Sequence, residues 1–383
     1  MHDLLIVGGG PIGASLALAL RDSGFTYRVL DARTTGGLGA GDRTLALAHT
    51  ARLIFERIGV WERLASVTPI DTIDISQKGG FGLAQLTARE AGVPALGYVV
   101  RYGELQAVLD DALARAGIAV DFGRTVETIR TTPAQANLTA RGPGADETED
   151  QAARLVVVAD GSGEALPDIH RRKIDYHQHA VTGLVTAAAM QPGVAFERFT
   201  SDGPVALLPF ESGYALVWTV TPARAAALLE MDDTEFLAAL HGHFGDRVGL
   251  FTSIALRKSF PLSLQFASQV TGQRSVVLGN AAQALHPIAG QGFNLGLRDV
   301  WSLVQLLLDT SRDDIGSDRQ LAAYANARRV DRWAGVGMTH GLVQAFASDH
   351  PLLAGPRGLG LTLLDSIPPL KRAFARTMLN GLR

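Results

Sequence analysis

Cysteine is missing altogether from the 383 residues. Its absence excludes disulfides, thiolate nucleophiles, iron–sulfur clusters and any zinc site built on sulfur, and it fits a reducing compartment. Charge is sparse, at 19% of residues, and nearly balanced: 35 Lys and Arg against 38 Asp and Glu leave a net −3. Without a positive field, a nucleic-acid partner has no electrostatic support. No apolar run reaches the roughly 18 residues of a transmembrane helix. Residues 4–7 are too short an apolar run, and too soon broken by glycine, for a signal peptide. Metal spacing is lacking as well. His177 and His179, like His241 and His243, alternate with no third His or carboxylate at helical spacing, so no metal is expected. Ser162 sits in no nucleophile-elbow sequence, which leaves hydrolysis unsupported. Proline is scarce beside glycine, 16 against 42. Such glycine serves tight turns and close backbone approach rather than disorder. A soluble, cytoplasmic enzyme or binding protein of two or three domains is expected.

What is present begins with one βαβ unit. The apolar run at 4–7 suits a parallel strand buried on both faces. A glycine-rich turn breaks it, an Ala- and Leu-rich helix follows over about 14–22 before Gly24, and Tyr27 to Asp31 reads as the second strand. Gly8, Gly10 and Gly13 match G-x-G-x-x-G at that strand–helix junction. The first glycine permits the turn, the second lets backbone approach a pyrophosphate, and the third lets helix pack on strand. The helix N-terminus then faces the phosphate charge. Asp31 is placed to accept a ribose 2′-hydroxyl bond and would repel a 2′-phosphate, making NADP a poor tenant of this unit.

Further helices are expected over 50–58 and 103–116, each stopped by glycine. Strands are expected at 73–76, 155–159, 181–189 and 275–278, and a hairpin at 205–209 and 214–219. The polar stretch 131–151 reads as two edge strands and a loop. No repeat is evident. Segments of βα type thus flank a β-rich middle, as in a nucleotide domain interrupted by a sheet domain.

A second motif runs Leu278-Gly279-Asn280-Ala281-Ala282-Gln283, then His286-Pro287-Ile288-Ala289-Gly290-Gln291-Gly292-Phe293-Asn294. Apolar positions 293, 297, 300, 301, 304, 307 and 308 follow with helical spacing. Gly290 and Gly292 therefore stand at a helix start, where free N–H groups and the positive dipole end favour an anion. A reduced flavin carries negative charge around N1 and O2, so this is a suitable partner for its ring; the plain alternative is a helix cap.

Together these separated motifs resemble the class A flavoprotein monooxygenases, built like para-hydroxybenzoate hydroxylase. Within them the chain is most similar to the ubiquinone-biosynthesis hydroxylases, in the 2-polyprenyl-6-methoxyphenol hydroxylase branch. Supporting matches are Asp42-Arg43, Ile58-Gly59-Val60-Trp61, Arg101 with Leu105-Gln106, Leu207-Leu208-Pro209-Phe210, and Arg357-Gly358-Leu359-Gly360-Leu361. The resemblance spans nearly the whole chain.

The fold it implies is α/β: a Rossmann-like FAD-binding domain (1–70, 98–175 and 268–335) interrupted by a mixed β-sheet substrate domain (71–97 and 176–267), with a C-terminal helical segment (336–383). The cofactor it implies is FAD, with NAD(P)H as a transient reductant. Gly8, Gly10, Gly13 and Asp31 would hold the ADP half. Arg43 and Arg101 would lie by the pyrophosphate and ribityl chain with Gln106 near them, the bland alternative for each arginine being a surface ion pair. Asp160 would belong to the middle Asp-Gly motif, or be only a turn residue, and Asn280 would replace an acid that contacts the ribityl chain or pyrophosphate. The backbone of Gly290, Gln291, Gly292, Phe293 and Asn294 would line the flavin pyrimidine edge, with His286 and Pro287 beside the ring as catalytic candidates. Leu207, Pro209 and Trp218 would form a greasy substrate wall or pack the sheet core. No side chain of the middle segment stands out as a phenol base.

Two departures from the family pattern matter. No Arg follows Ser162 after the Asp-Gly pair, and Asn280 and Gln283 remove a carboxylate and a titratable ring. The implied reaction is hydroxylation of a polyprenyl methoxyphenol by O2 through NAD(P)H-reduced flavin and its C4a-hydroperoxide. A flavin dehydrogenase or reductase on the same scaffold, or a non-catalytic FAD subunit of an assembly, are the alternatives. The implied partners are the polyprenyl phenol, a ubiquinone-biosynthesis complex, and the inner membrane. Leu370, Phe374 and Met378 repeat every four residues beside Lys371, Arg372 and Arg376. That pattern gives a tail that lies in a lipid interface or docks on the FAD domain.

Overall fold

The computed structural model describes every residue except 38–42, 143, 145–147, 201, 347–350 and 383. At its centre, strands Ser275–Val277, Thr148–Val158, His2–Val7, Tyr27–Asp31 and Val120–Phe122 pair in parallel, in that order. Leu4, Leu5 and Ile6 and the run from Leu155 to Val158 are wholly buried, as strands covered on both faces must be. Helices Pro11–Ala19, Tyr102–Arg115 and Gln291–Leu308 share that core through Leu16, Leu105, Leu109 and Leu297. The first helix begins at Pro11, three residues before the expected start, because proline at the first helical position is already set in helical φ and has no N–H to leave unpaired.

A second eight-stranded sheet is mixed, with Val194–Phe199 parallel to Thr72–Gln77 and its other pairings antiparallel. Its spine is a pair of 17-residue strands, Arg171–Ala187 and Phe251–Ala267; the first runs across position 175, where the sequence suggests a domain limit, and the second ends at position 267, the other suggested limit. The first half of each strand is largely exposed, and register shifts with left-handed residues at His177 and Leu256 break the alternation that would reveal them. Helices Pro222–Glu230 and Asp233–Phe244 cover one face, capped by Thr221 and Asp232, and bury Trp218, Tyr214, Phe236 and Phe244. A three-stranded antiparallel sheet, Thr44–Ala48, Gly97–Arg101 and Val67–Ile70, has its own ladder and packs against both.

The chain ends in helices Asp318–Phe346, Pro351–Ser366 and Pro368–Asn380. Among the described residues no helix is long and apolar enough to cross a membrane.

Candidate functional site

The glycine turn after the first strand is shaped by two different demands. Gly8 has φ +99°, and a Cβ on it would stand 2.7 Å from the backbone of Ala159 and Asp160; one on Gly13 would collide with the Gly8 carbonyl. The fold itself therefore requires these two glycines. Gly10 is different: a Cβ there would meet nothing within 4 Å, and the open side lies at the cap of the first helix. Open space before a helix N-terminus fits a pyrophosphate. Asp31 is buried at the end of the second strand, its Oδ2 accepting from Gly9 N at 2.7 Å and its Oδ1 from Arg33 N at 2.8 Å.

Arg33, which no sequence motif singles out, pairs with Asp31 and Asp110 and donates to the Gly9 carbonyl at 2.9 Å. Gln106 donates to the same carbonyl at 3.1 Å and to Asp110 at 2.8 Å. Its Oε1 is buried without a partner among the described residues, an acceptor awaiting a donor such as a ribose hydroxyl.

The two arginines stand together, since Thr44 next to Arg43 pairs with Arg101 across the three-stranded sheet. Arg43 is exposed, its guanidinium 4.6 Å from the centre of the Tyr102 ring; Asp42 lies outside the described residues. Arg101 bonds Glu211 at 3.0 Å and stacks over Phe210, tying this sheet to the hairpin of the larger one. Asp160 is exposed and builds its own turn, accepting from Ser162 N, Ser162 Oγ and Gly163 N. Arg171, from the next strand, lies against Gly163 and donates to the Ala281 carbonyl at 3.1 Å.

The late motif closes on the early one. Gly279 faces Ile12, where a Cβ would come within 3.0 Å, and Asn280 beside it is exposed. Gly290 takes the left-handed conformation, φ +60°, and caps helix Gln291–Leu308. Asn294 accepts from Ala48 N at 2.8 Å and donates to the Ala46 and Gly290 carbonyls at 3.0 and 2.8 Å, so its amide holds the helix start against strand Thr44–Ala48. Phe293 turns away to stack on Phe55. Gly292 has only ordinary contacts with Leu285. Gln283 is buried and donates to Asp299 at 2.6 Å while accepting from Arg332 at 3.0 Å. Its amide thus heads a buried network in which Arg328 bridges Asp299 and Asp331, and Arg298 also binds Asp331.

The two catalytic candidates separate. Pro287 lines a cavity of about 420 Å³, together with Gly290, Gln291 and Asn294. His286 is not on that wall. It is 1% exposed, edge-on to Tyr176, with Nδ1 accepting from Ile288 N at 3.2 Å and Nε2 unpartnered among the described residues. Burial lowers its pKa to about 4, so the ring is neutral at physiological pH.

The cavity is almost wholly apolar, with the sheet face of Ile75, Ala195, Ala206, Leu208 and Val217 on one side. Leu207 and Trp218 are not on it. Strand residues alternate faces, and these two point into the core beneath the covering helices; Pro209 shares the parity of Leu207 and is likewise absent from the wall. Their neighbours Ala206, Leu208 and Val217 take the place expected of them. Glu197, which belongs to no motif in the sequence, lines the same cavity, its pKa raised to about 7 by burial alone. The far side is closed by Phe374, Met378 and Leu379 of the last helix, so two residues of the tail's apolar stripe dock on the protein, whereas Leu370 is 47% exposed. Among the described residues no cluster of His, Cys, Asp or Glu could hold a metal.

Known proteins resemble this chain in sequence and in fold. Residues 1–338 match the FAD binding domain family. The ubiquinone hydroxylase UbiL of Rhodospirillum rubrum is 33% identical, aligned over 100% of this chain and 90% of its own length. The 3-demethoxyubiquinol 3-hydroxylase of Escherichia coli is 28% identical over 97% of this chain and 96% of its own. In three dimensions the fold matches p-nitrophenol 4-monooxygenase PnpA from Pseudomonas putida DLL-E4 with a TM-score of 0.79, at 16% identity, covering 100% of this chain and 99% of that one.

Proposed function

Because the chain belongs to the FAD-binding domain family, we propose that it hydroxylates the aromatic ring of a polyprenyl methoxyphenol in ubiquinone biosynthesis, using O2 and NAD(P)H. The observation that carries this reading is a single cavity of about 420 Å³ bounded by the Gly290–Gln291 helix start on one side and a greasy sheet face on the other. An electron-rich ring with an isoprenoid chain suits that wall, and a charged or sugar-like substrate does not. In net terms the ring C–H becomes C–OH, the second oxygen atom leaves as water, and NAD(P)H with one proton supplies two electrons.

FAD, when bound, supplies the two-electron chemistry that activates O2. The protein's own residues hold, orient and keep dry. Gly10 leaves room for a pyrophosphate, Gln106 offers an unpartnered acceptor, and the helix start after Gly290 presents a positive dipole end. Asn294 fixes that helix start against strand Thr44–Ala48. Pro287 and the sheet face exclude water, which protects a reactive oxygen species from premature decay.

The substrate chain has to come from a bilayer, and the helices that close the cavity carry the exposed apolar residues Leu359, Leu363, Ile367 and Leu370. That surface supports a reading in which the protein makes peripheral contact with the inner membrane, within an assembly of ubiquinone-biosynthesis enzymes. The test is NAD(P)H-driven incorporation of ¹⁸O from ¹⁸O2 into a short-chain prenyl methoxyphenol. Label in the product supports the hydroxylase; flavin reduction without label favours a dehydrogenase on the same scaffold.

A further inference from the structure

We propose that Glu197 is the general base that takes the phenolic proton of the substrate, a role that rests on the hydroxylase reading and goes beyond it. Glu197 sits on strand Val194–Phe199, and its cross-strand neighbours Ile75 and Ala206, with Val217 beyond, form one row across the sheet. All four residues line the cavity. Along its own strand, Ala195 packs with Ile70 and Val99 of the three-stranded sheet, and Phe199 packs with Ile288 of the late motif. The carboxyl is therefore carried mid-wall, between the two regions that flank the helix start. A lone acid there has no packing purpose, because an unpaired carboxylate in an apolar cavity is expensive and an apolar residue would fill the row better.

The surroundings leave its basicity intact. Ile75, Ala206 and Val217 bring no charge from the sheet, nor do Leu342, Ala345 and Phe346 from helix Asp318–Phe346, nor Phe374, Met378 and Leu379 from the last helix. Pro287, Gln291 and Asn294 are neutral, and His286, edge-on to Tyr176 behind the Phe199–Ile288 contact, does not line the cavity. Arg357, its guanidinium 5.7 Å from the Phe346 ring centre, is the other charged lining residue among those described. Among the described residues no cation or hydrogen bond offsets the burial of Glu197, which raises its pKa to about 7. A phenol has a pKa near 10, so raising the carboxyl from its ordinary 4.5 to about 7 cuts the thermodynamic mismatch roughly in half. Catalytic bases work best when their pKa lies near the operating pH.

The step is a proton transfer without change of oxidation state. The phenol O–H bond breaks, its electron pair stays on oxygen, and the proton forms an O–H bond with the Glu197 carboxylate. The resulting phenolate pushes electron density onto its ring carbons ortho and para to oxygen, where an electrophilic oxygen adds. When the hydroxylated ring regains aromaticity the phenolic oxygen can recover a proton from Glu197, which resets the base.

The experiment compares the FAD-loaded wild type with Glu197→Gln and Glu197→Asp, with flavin content measured by absorbance to show that each variant is folded. Binding of a nitro-substituted prenyl phenol is followed by difference spectroscopy, in which only the phenolate absorbs in the visible. Wild type should ionise the bound phenol, with an apparent pKa lowered relative to the phenol free in solution. Glu197→Gln should bind it un-ionised, with kcat for ¹⁸O incorporation down about 100-fold or more and the rise of kcat with pH around neutrality lost. Glu197→Asp should keep part of both signals. A Glu197→Gln protein that ionises the phenol and retains the pH limb overturns the base while leaving the hydroxylase standing. A wild type that incorporates no ¹⁸O into any phenol overturns both.

Discussion

Gly296 and Gly279 approach so closely that a Cβ on Gly296 would stand 3.0 Å from the Gly279 Cα and equally near Ile12 Cδ1. Gly279 belongs to the late motif and Ile12 to the early one, so a turn near the N-terminus and a helix start some 280 positions later are packed as one body. Replacing Gly296 by Val should cost about 1–3 kcal/mol through overpacking, and it should weaken FAD binding although Gly296 lies one turn away from the helix start. Chemical denaturation and flavin titration measure the two effects; a variant with full stability would contradict the close packing.

Gly10 and Gly13 should part company on substitution. The Gly13 Cβ position is filled by the Gly8 carbonyl, so Gly13→Ala should lose stability and flavin together. Nothing occupies the Gly10 position, so Gly10→Val should fold with an unfolding midpoint close to wild type yet bind FAD at least about tenfold more weakly. Equal FAD affinity in Gly10→Val would mean that the phosphates lie elsewhere.

Two titratable groups, the buried His286 and the cavity-facing Glu197, should pull stability in opposite directions over one pH range. His286 has its pKa depressed to about 4 by burial, against about 6.5 unfolded, so the unfolded chain takes up a proton first and stability falls as pH drops through that window. Glu197 is raised to about 7; its contribution is fully present below its unfolded value near 4.5 and is lost as pH rises toward 7. Each effect is on the order of 1–3 kcal/mol. Glu197→Gln should therefore exceed wild type in stability at pH 8 and match it near pH 4.5, whereas His286→Asn should flatten the acid side. Urea titrations at pH 5 and pH 8 check both signs.

Local patterns carry much of this fold in the sequence itself. The βαβ unit is legible because a strand buried on both faces, a glycine turn and an Ala-rich helix each leave a local signal, and the late motif is legible through Gly290, Gly292 and the helical spacing after them. Residues whose role depends on partners distant in sequence stay hidden. Arg33 reads as a loop arginine until Asp110 comes beside it, and Gln283 reads as a lost histidine until Asp299 and Arg332 surround it. Glu197 sits in Phe196-Glu197-Arg198-Phe199, which looks like any half-exposed strand; only the cavity tells its face from that of Arg198. Leu207 and Trp218 show the converse: apolar character alone leaves the substrate wall and the sheet core both open, and strand parity puts these two in the core.

The network behind Gln283 reaches the end of the chain. Asp331 receives Arg298, Arg328 and the backbone N–H of Leu382, the last at 3.0 Å. Asp331→Ala should leave two buried guanidinium groups short of a partner and cost about 3–5 kcal/mol, the usual result of breaking a buried ion pair from one side. It should also expose the tail to carboxypeptidase, seen as rapid trimming by mass spectrometry. Wild-type resistance in the variant would show that the tail is held by other contacts.

Lipid contact is best tested on the outer surface of the closing helices, because removing residues 368–383 would also remove Phe374, Met378 and Leu379 from the cavity wall. Leu359, Leu363 and Ile367 follow one another at intervals of four and are 52%, 44% and 41% exposed. Lys371 is held by Glu90 and Asp365, both at 3.1 Å, which leaves the exposed Arg372 and Arg376 of the same helix to meet anionic headgroups. Burying three half-exposed aliphatic side chains in a bilayer interface is worth on the order of 1 kcal/mol each, or about 100-fold in partitioning together. The triple variant Leu359→Ser, Leu363→Ser, Ile367→Ser should therefore stop floating with phosphatidylethanolamine–phosphatidylglycerol vesicles that carry the wild type upward. Its FAD content and its turnover of a soluble short-chain substrate should stay at wild-type levels, since none of the three lines the cavity. Equal flotation of both proteins would remove the membrane from this enzyme's account and leave delivery of the prenyl chain to a protein partner.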